Sequence, residues 1–426
     1  MSISFSSALY QTPGAQRFLN TLTDDLANRR SLLALLPVGI DPVEIWSTLR
    51  TELWRRDFGF EEISLPDLPQ DHVPVAALSK ALGVNWASPE TPRTIANLMT
   101  AKNLPDIVQL EGFGQLTDTT RRDWTMFLTQ WRQVSQNMAD RGHIPMALCM
   151  IAPAVAVLPR IPESGVHLAV HWWWGFPSAL EMHLLCRQGS EGAPWDAAAR
   201  WREHLLPALA GSDISLVEYL WDSLRLSLEG LAARLRSFAE QRGWAADALH
   251  EWGAEELAAS PAQNRSSQLL SPPARFRALW ARGALSWTTE YGLELHAAAL
   301  AVLGRNEELG HRLWRGQAEL LLPLIDHTRL TLCDHLTRQY GHDWPIRWYQ
   351  PVSPEEDAAV RNSPLACQWG YLEWPLKNCA HLQSEQNWLP LVSLARWIRN
   401  EMAHYRPITF GDFEGLWREM NELPTR

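Results

Sequence analysis

The sequence predicts a multidomain protein, α/β in its first part and all-α in its last, and three observations carry that reading. Short apolar runs of strand length alternate with helical segments through residues 1–190. A stretch dense in Ser, Pro, Asn and Gln then interrupts the chain near residue 265, with the composition of a linker. Beyond it, apolar residues recur at helical spacing almost to the end. A chain of 426 residues holds two or three domains of roughly 150 residues each. The expected order is an α/β domain at 1–190, a helical segment at 191–260, a linker at 261–274 and a helical domain at 275–426.

In the first domain the strand candidates are residues 32–36, 62–65, 107–110, 146–151 and 166–171. Helical stretches at 42–56, 74–82, 92–100 and 119–140 separate them. Short apolar strands joined through helices imply a parallel sheet with helices on both faces. Asp41-Pro42 opens the helix after the first strand, an N-cap followed by proline at the first helical position. The run Trp172-Trp173-Trp174-Gly175-Phe176-Pro177 follows the fifth strand. Such a cluster either stacks bases or a partner, or packs against the helical segment after it.

From 194 to 252 the pattern is helical, with Arg225, Arg234, Arg236 and Arg242 interleaved with Glu229 and Glu240. The last domain reads as helices at 274–303, 307–338, 365–382, 388–404 and 413–420. The second of these is the central helix of an up-and-down bundle, and its Pro323 removes one backbone hydrogen bond and threatens a kink.

Composition narrows the function. Hydrophobic residues make up 46% of the chain, enough for large cores. Most of the 23 tryptophans, such as Trp46, Trp54, Trp124 and Trp131, recur at helical spacing beside Leu and Arg as core and interface fillers. A net charge of −10 argues against a protein that coats DNA, but leaves room for RNA cleavage at a local basic pocket. The five cysteines show no C-x-x-C spacing, so neither a zinc site nor a disulfide framework is expected, which fits a reducing, cytoplasmic setting. No metal or other cofactor is expected. The apolar run 144–158 is interrupted by Pro145 and Pro153 and is too short to span a bilayer. Residues 1–5 lack a basic region leading into an apolar core, so neither a secretory leader nor a membrane contact is expected.

The densest chemistry lies in Arg396-Trp397-Ile398-Arg399-Asn400-Glu401-Met402-Ala403-His404-Tyr405-Arg406-Pro407. Leu389, Leu391, Val392, Leu394, Ala395, Ile398, Met402 and Ala403 are expected to give this helix a buried stripe. Pro407 ends it, because proline disfavours α conformation in the residue before it. His404 falls in the last turn, where the helix dipole favours a protonated imidazole, and it shares a face with Asn400 four residues earlier.

Arg399-Asn400-x-x-x-His404 with its Tyr405-Arg406-Pro407 exit resembles the signature of the HEPN superfamily, all-α domains many of which are metal-independent ribonucleases that act as dimers. The resemblance implies that Arg399 binds the scissile phosphate and that His404 is the general acid/base for attack by the ribose 2′-hydroxyl. Asn400 would orient both. Arg396 and Arg406, and on the preceding helix Asp326 or Arg329, would meet the substrate. A looser copy, Arg305-Asn306-(x)4-His311, reads as surface.

The first domain resembles a P-loop NTPase core of the AAA+ or STAND kind with its chemistry erased. A working phosphate loop needs several glycines, a lysine and a Ser or Thr; the segment after the first strand keeps only Gly39 and places Asp41 and Glu44 there. The third strand ends in Glu111-Gly112, a single acid. The helical segment that follows resembles the lid or winged-helix subdomain of such proteins. This pairing is similar to bacterial antiviral and toxin-like proteins. It implies conditional cleavage of RNA, homodimerisation through the last domain and a protein partner from the same defence system. The alternative is a non-catalytic scaffold within a larger defence complex.

Overall fold

The computed structural model describes residues 5–70, 73–86, 92–190, 196–223, 225, 227–258, 269–348 and 353–422. The chain forms two compact units that interleave along the sequence. The first contains residues 1–182, 211–215 and 244–296; the second contains 183–210, 216–243 and 297–426.

The first unit is built on five strands: β1 (Ser31–Leu36), β2 (Phe60–Ser64), β3 (Ile107–Glu111), β4 (Ala147–Pro153) and β5 (Leu168–Trp172). They form one all-parallel sheet in the order β2-β3-β4-β1-β5, as the alternating sequence pattern predicts. Every residue of β1 is buried, because its SLLALL run has neighbours on both edges and cover on both faces. Leu33 pairs with Met150 on one side and Val170 on the other. The edge strand β2 carries exposed Glu61 and Glu62 among its five residues, charges that discourage pairing with another chain.

Helix α1 (Pro13–Ala27) precedes β1, and α2 (Pro42–Arg55), α3 (Pro74–Ala81), α4 (Ile95–Met99) and α5 (Asp118–Ala139) lie in the connections between strands. Asp41 caps α2 by accepting a hydrogen bond from the Val43 amide at 2.9 Å, with Pro42 at the first position. The indole of Trp131 on α5 donates to the buried Ser31 hydroxyl on β1 at 3.1 Å, and the same oxygen accepts from the Leu148 amide of β4 at 3.0 Å. One buried hydroxyl thus ties a helix to two strands.

The sequence expectation of a helix over 274–303 is overturned. The structure has a short helix at Arg277–Ala281, an antiparallel hairpin of β6 (Leu285–Thr288) and β7 (Gly292–Leu295), and a second short helix at Ala297–Val302. Leu285-Ser286-Trp287 alternates burial with period two before the buried Thr288, and Gly292 takes a positive φ of 77° after the turn; both are strand and turn signals. Residues 275–296, expected in the C-terminal domain, belong to the first unit. Of the expected linker, residues 261–268 lie outside the described residues.

The second unit holds most of α6 (Ala179–Gly189), then α7 (Ala197–Ala210), α8 (Leu228–Gln241), α9 (Ala297–Val302), α10 (Asn306–Tyr340), α11 (Trp369–Asn378), α12 (Leu389–Ala403) and α13 (Phe410–Asn421). The central helix α10 runs 35 residues, straight through Pro323, or about 52 Å at 1.5 Å per residue. It packs against α7 at Gly316, where an added Cβ would meet the His204 carbonyl oxygen and the Ala208 Cβ at 2.9 Å each. That close approach requires glycine. Among the described residues no helix is long and apolar enough to cross a membrane.

Two opposed effects act at Gly316, and their sizes decide the outcome. Alanine gains about 1 kcal/mol of helix propensity, whereas overpacking against a fixed backbone carbonyl costs typically 1–3 kcal/mol. Gly316→Ala is therefore expected to lower the urea midpoint, by a net of up to about 2 kcal/mol. A higher midpoint would show that α7 and α10 lie further apart.

Candidate functional site

The motif lies at the carboxyl end of α12, whose buried side is Leu391, Val392, Ala395, Ile398 and Met402. That stripe turns Arg396, Trp397, Arg399, Asn400, Ala403 and His404 outward as one exposed strip. Within it the Arg399 Nη1 stands 3.4 Å from the Asn400 Oδ1, a long hydrogen bond that leaves the guanidinium largely open to solvent. His404 is the C-cap, its amide donating to the carbonyls of Asn400 and Glu401 at 3.1 Å each.

The helix ends in a Schellman turn. The Tyr405 amide donates to the Met402 carbonyl at 3.2 Å, and the Arg406 amide to that of Glu401 at 3.0 Å. Tyr405 occupies the left-handed position at φ 57°, where glycine is usual. Aromatic packing holds it there: its ring lies 4.7 Å from that of Trp314 and 6.3 Å from that of His311, both on α10. The Trp314 indole also donates to the Met402 carbonyl at 2.8 Å, satisfying a C-terminal group of α12. His311, set aside as surface in the sequence, is exposed as expected but stands next to the motif exit. No spacing rule could have shown this, because α10 and α12 meet only in the folded unit.

The chain leaving the motif is clamped. Gln317 on α10 is fully buried; its Nε2 donates to the Ile408 carbonyl at 2.9 Å and its Oε1 accepts from the Ile408 amide at 2.8 Å. Thr409 and Asp412 then form a reciprocal capping box that starts α13.

The other expected contacts divide by whether their charge is already paired. Arg396 pairs with Glu373 on α11, which also accepts from Lys377 at 2.7 Å and Ser393 at 2.8 Å. Burial alone would raise the Glu373 carboxyl, but these three donors outweigh it and hold it at about 2. Arg406 lies 3.5 Å from Glu401 and is otherwise exposed. Arg329 pairs with Asp326 at 2.8 Å and donates to the carbonyls of Leu365 and Cys367. Its guanidinium thereby fixes the 365–367 turn on α10. Among the motif cations, Arg399 is the least encumbered.

Sequence reasoning missed a pocket of about 230 Å³ lined by Ala198, Trp201, Arg202, Trp221, Asp222, Arg225 and Phe410. Phe410 is the first residue of α13, three positions past the Pro407 that closes the motif. The Arg225 guanidinium lies 4.8 Å over the Phe410 ring and that of Arg202 lies 5.0 Å over Trp221. Arginines laid over aromatic rings suit a phosphate and a stacked base together. Arg225 was visible in the sequence as part of a basic face, but its aromatic partner comes from nearly two hundred residues away.

The first unit's expected nucleotide position is differently made. The connection leaving β1 runs to one edge of the sheet, and that leaving β4 passes over β1 to the other. Such a switch point is where open α/β sheets take ligands. Here the Val38 amide donates to the Ala281 carbonyl at 2.9 Å, and the Tyr10 hydroxyl donates to the Asp41 carbonyl at 2.6 Å. Burial, with Asp41 and Glu44 nearby, pushes the Tyr10 phenol well above its ordinary range. Gly39 has a positive φ of 102°, and Glu111 accepts from Gln109 beside it on β3. The Val38 amide and the Asp41 carbonyl of this loop are thus already bonded, with the Asp41 and Glu44 carboxylates close by.

The tryptophan cluster after β5 is packed. Trp174 stacks on Trp287 of the hairpin at 5.9 Å, and Trp172 meets Trp280 edge-on at 5.2 Å. The Trp280 indole donates to the Trp173 carbonyl at 3.2 Å. These rings pack against residues 277–288, a short helix and a hairpin strand, rather than against the helical segment that directly follows the cluster. The five cysteines are all free.

Neither a protein-family model nor a curated protein sequence matches this chain.

Replacing Gln317 by Leu keeps the apolar volume but strands the amide and carbonyl of Ile408. At about 1–3 kcal/mol for each unsatisfied group, Gln317→Leu is expected to destabilise the protein by about 2–6 kcal/mol in chemical denaturation. A change below about 1 kcal/mol would show that the clamp is replaceable by water.

Proposed function

We propose that the second unit is a metal-independent endoribonuclease and that Arg399, Asn400 and His404 form its reaction centre. The observation that carries this reading is the exposed strip at the end of α12, where a largely solvent-open guanidinium, a carboxamide and an imidazole share the surface of a helix end fixed from α10. Rigid support under an exposed, chemically capable group is what catalysis asks of a scaffold.

The chemistry needs only those groups. A neutral imidazole at His404 takes the proton from a ribose 2′-hydroxyl as its oxygen attacks the adjacent phosphorus. The bond to the 5′-oxygen breaks, that oxygen receives a proton, and a 2′,3′-cyclic phosphate remains. Arg399 compensates the charge that builds on the phosphorane oxygens. Asn400, one turn before His404, positions the phosphate between them. One imidazole cannot remove and supply a proton at the same instant, so a homodimer that opposes two strips would provide both roles. The Arg202/Arg225 pocket, one of whose walls is Phe410 three residues past Pro407, supports RNA as the substrate class. The closed β1 loop supports a first unit that senses or docks without hydrolysing nucleotide, consistent with a conditional effector in bacterial antiphage defence.

A second reading has its own support. If the first unit derives from a nucleotide-hydrolysing core, as its resemblance implies, one half of the chain already lacks the lysine and the Ser or Thr of a working phosphate loop. A scaffold subunit of a defence complex, with both units as binding surfaces, follows if the second half does the same.

Incubation with RNA in the presence of a chelator separates the two. Wild-type protein is expected to leave 2′,3′-cyclic phosphate ends, and His404→Ala and Arg399→Ala each to slow cleavage by at least about 100-fold. Cleavage that persists unchanged in both variants, or no cleavage by any of the three with the other members of its system present, removes the ribonuclease reading in favour of the scaffold.

A further inference from the structure

Three helices of the second unit converge on two imidazoles and a carboxylate: His183 on α6, His204 on α7 and Glu319 on α10. The His183 Nε2 lies 3.3 Å from the Glu319 Oε2, and one ligand atom from each of the three side chains falls within 4.8 Å of the other two. The two imidazole rings meet edge-on with centroids 5.3 Å apart. The Nδ1 of His204 is buried and makes no hydrogen bond. A buried ring nitrogen without a partner is an exception that calls for a cause.

Backbone packing explains why these residues meet. Gly316 lets α10 lie against the carbonyl of His204 itself. Glu319 follows three residues later, nearly one helical turn, and so on the same side of α10. The helix contact that requires glycine therefore delivers the carboxylate to the imidazole.

We propose that His183, His204 and Glu319 bind one divalent transition-metal ion, zinc by the donor set, which pins α6 to α7 and α10. Metal bonds of about 2.0–2.1 Å in a tetrahedron place neighbouring ligand atoms about 3.3 Å apart, the separation already present between His183 and Glu319. Two nitrogens and one carboxylate suit zinc and its neighbours. They offer too few oxygens for calcium or magnesium. Three protein ligands leave a fourth tetrahedral position for water or for a donor from another molecule. The sequence predicts no metal because its cysteines lack ligand spacing; these ligands come from three helices far apart in the chain and leave no local motif. The site uses none of Arg399, Asn400 and His404, so it is separate from the proposed reaction centre.

The test uses the full-length chain freed of metal by chelation and titrated with zinc chloride in a calorimeter. Metal content after desalting and the thermal midpoint are measured in parallel. Wild-type protein is expected to take up one zinc per chain and to unfold at a higher temperature with zinc present. Glu319→Gln changes an exposed position and is expected to fold, which circular dichroism checks; His183→Gln is the second variant. Each is expected to bind zinc at least about tenfold more weakly and to lose the thermal shift. Absence of binding by the folded wild-type protein at micromolar zinc overturns the proposal. So does equal uptake by wild type and both variants, which would assign the metal to scattered surface histidines.

Discussion

The arrangement of the second unit depends on one buried carboxamide. Gln317 sits in the middle of α10 with no exposure, and its two polar ends are matched to the amide and carbonyl of Ile408. A buried carboxamide is costly unless both ends are paired, and here both are. The pairing fixes where the chain goes after Pro407 and hence where α13 begins. With Trp314 holding the Met402 carbonyl and the ring of Tyr405, it gives the end of α12 three attachments to one helix. Tyr405 tolerates its left-handed backbone because those contacts over-determine it.

The two units treat their polar groups in opposite ways. At the switch point of the sheet, amide and hydroxyl donors are bonded to neighbouring carbonyls, and tryptophans fill the adjoining edge. At the end of α12, an arginine, an amide and a histidine face solvent on a braced support. In the bundle, most other cations near the motif are occupied. Arg329 stitches a turn to α10, and Arg396 shares Glu373 with Lys377. The contrast favours the helical unit as the place where chemistry or recognition occurs.

Much of this was legible in the sequence where local rules govern. The five strands and the helices between them follow from short apolar runs and from the Asp41-Pro42 start signal, and the parallel sheet follows from their alternation. The motif helix ends within a residue of the expected position because Pro407 leaves little choice. Residues 285–295 were misread as helical, since a four-residue strand carries too few positions for its period to outweigh the flanking helical segments. The unit boundary was also hidden, because two short excursions, 211–215 and 244–296, return to the first unit. Tertiary contacts were not legible at all. Nothing local links Gln317 to Ile408, Arg225 to Phe410, or His183 to His204 and Glu319. Arg329 read as a substrate contact because its charge is plain in the sequence, whereas the carbonyls it holds are not.

The proposed function puts RNA on the α12 strip and in the Arg202/Arg225 pocket, and away from the β1 loop. Photo-crosslinking of the His404→Ala protein to RNA carrying 4-thiouridine, followed by mass spectrometric mapping, tests this most directly. The account predicts crosslinks at Tyr405 and at Trp314, Trp221 or Phe410. Crosslinks confined to residues 1–182, or none under conditions where the protein retains RNA, would contradict it.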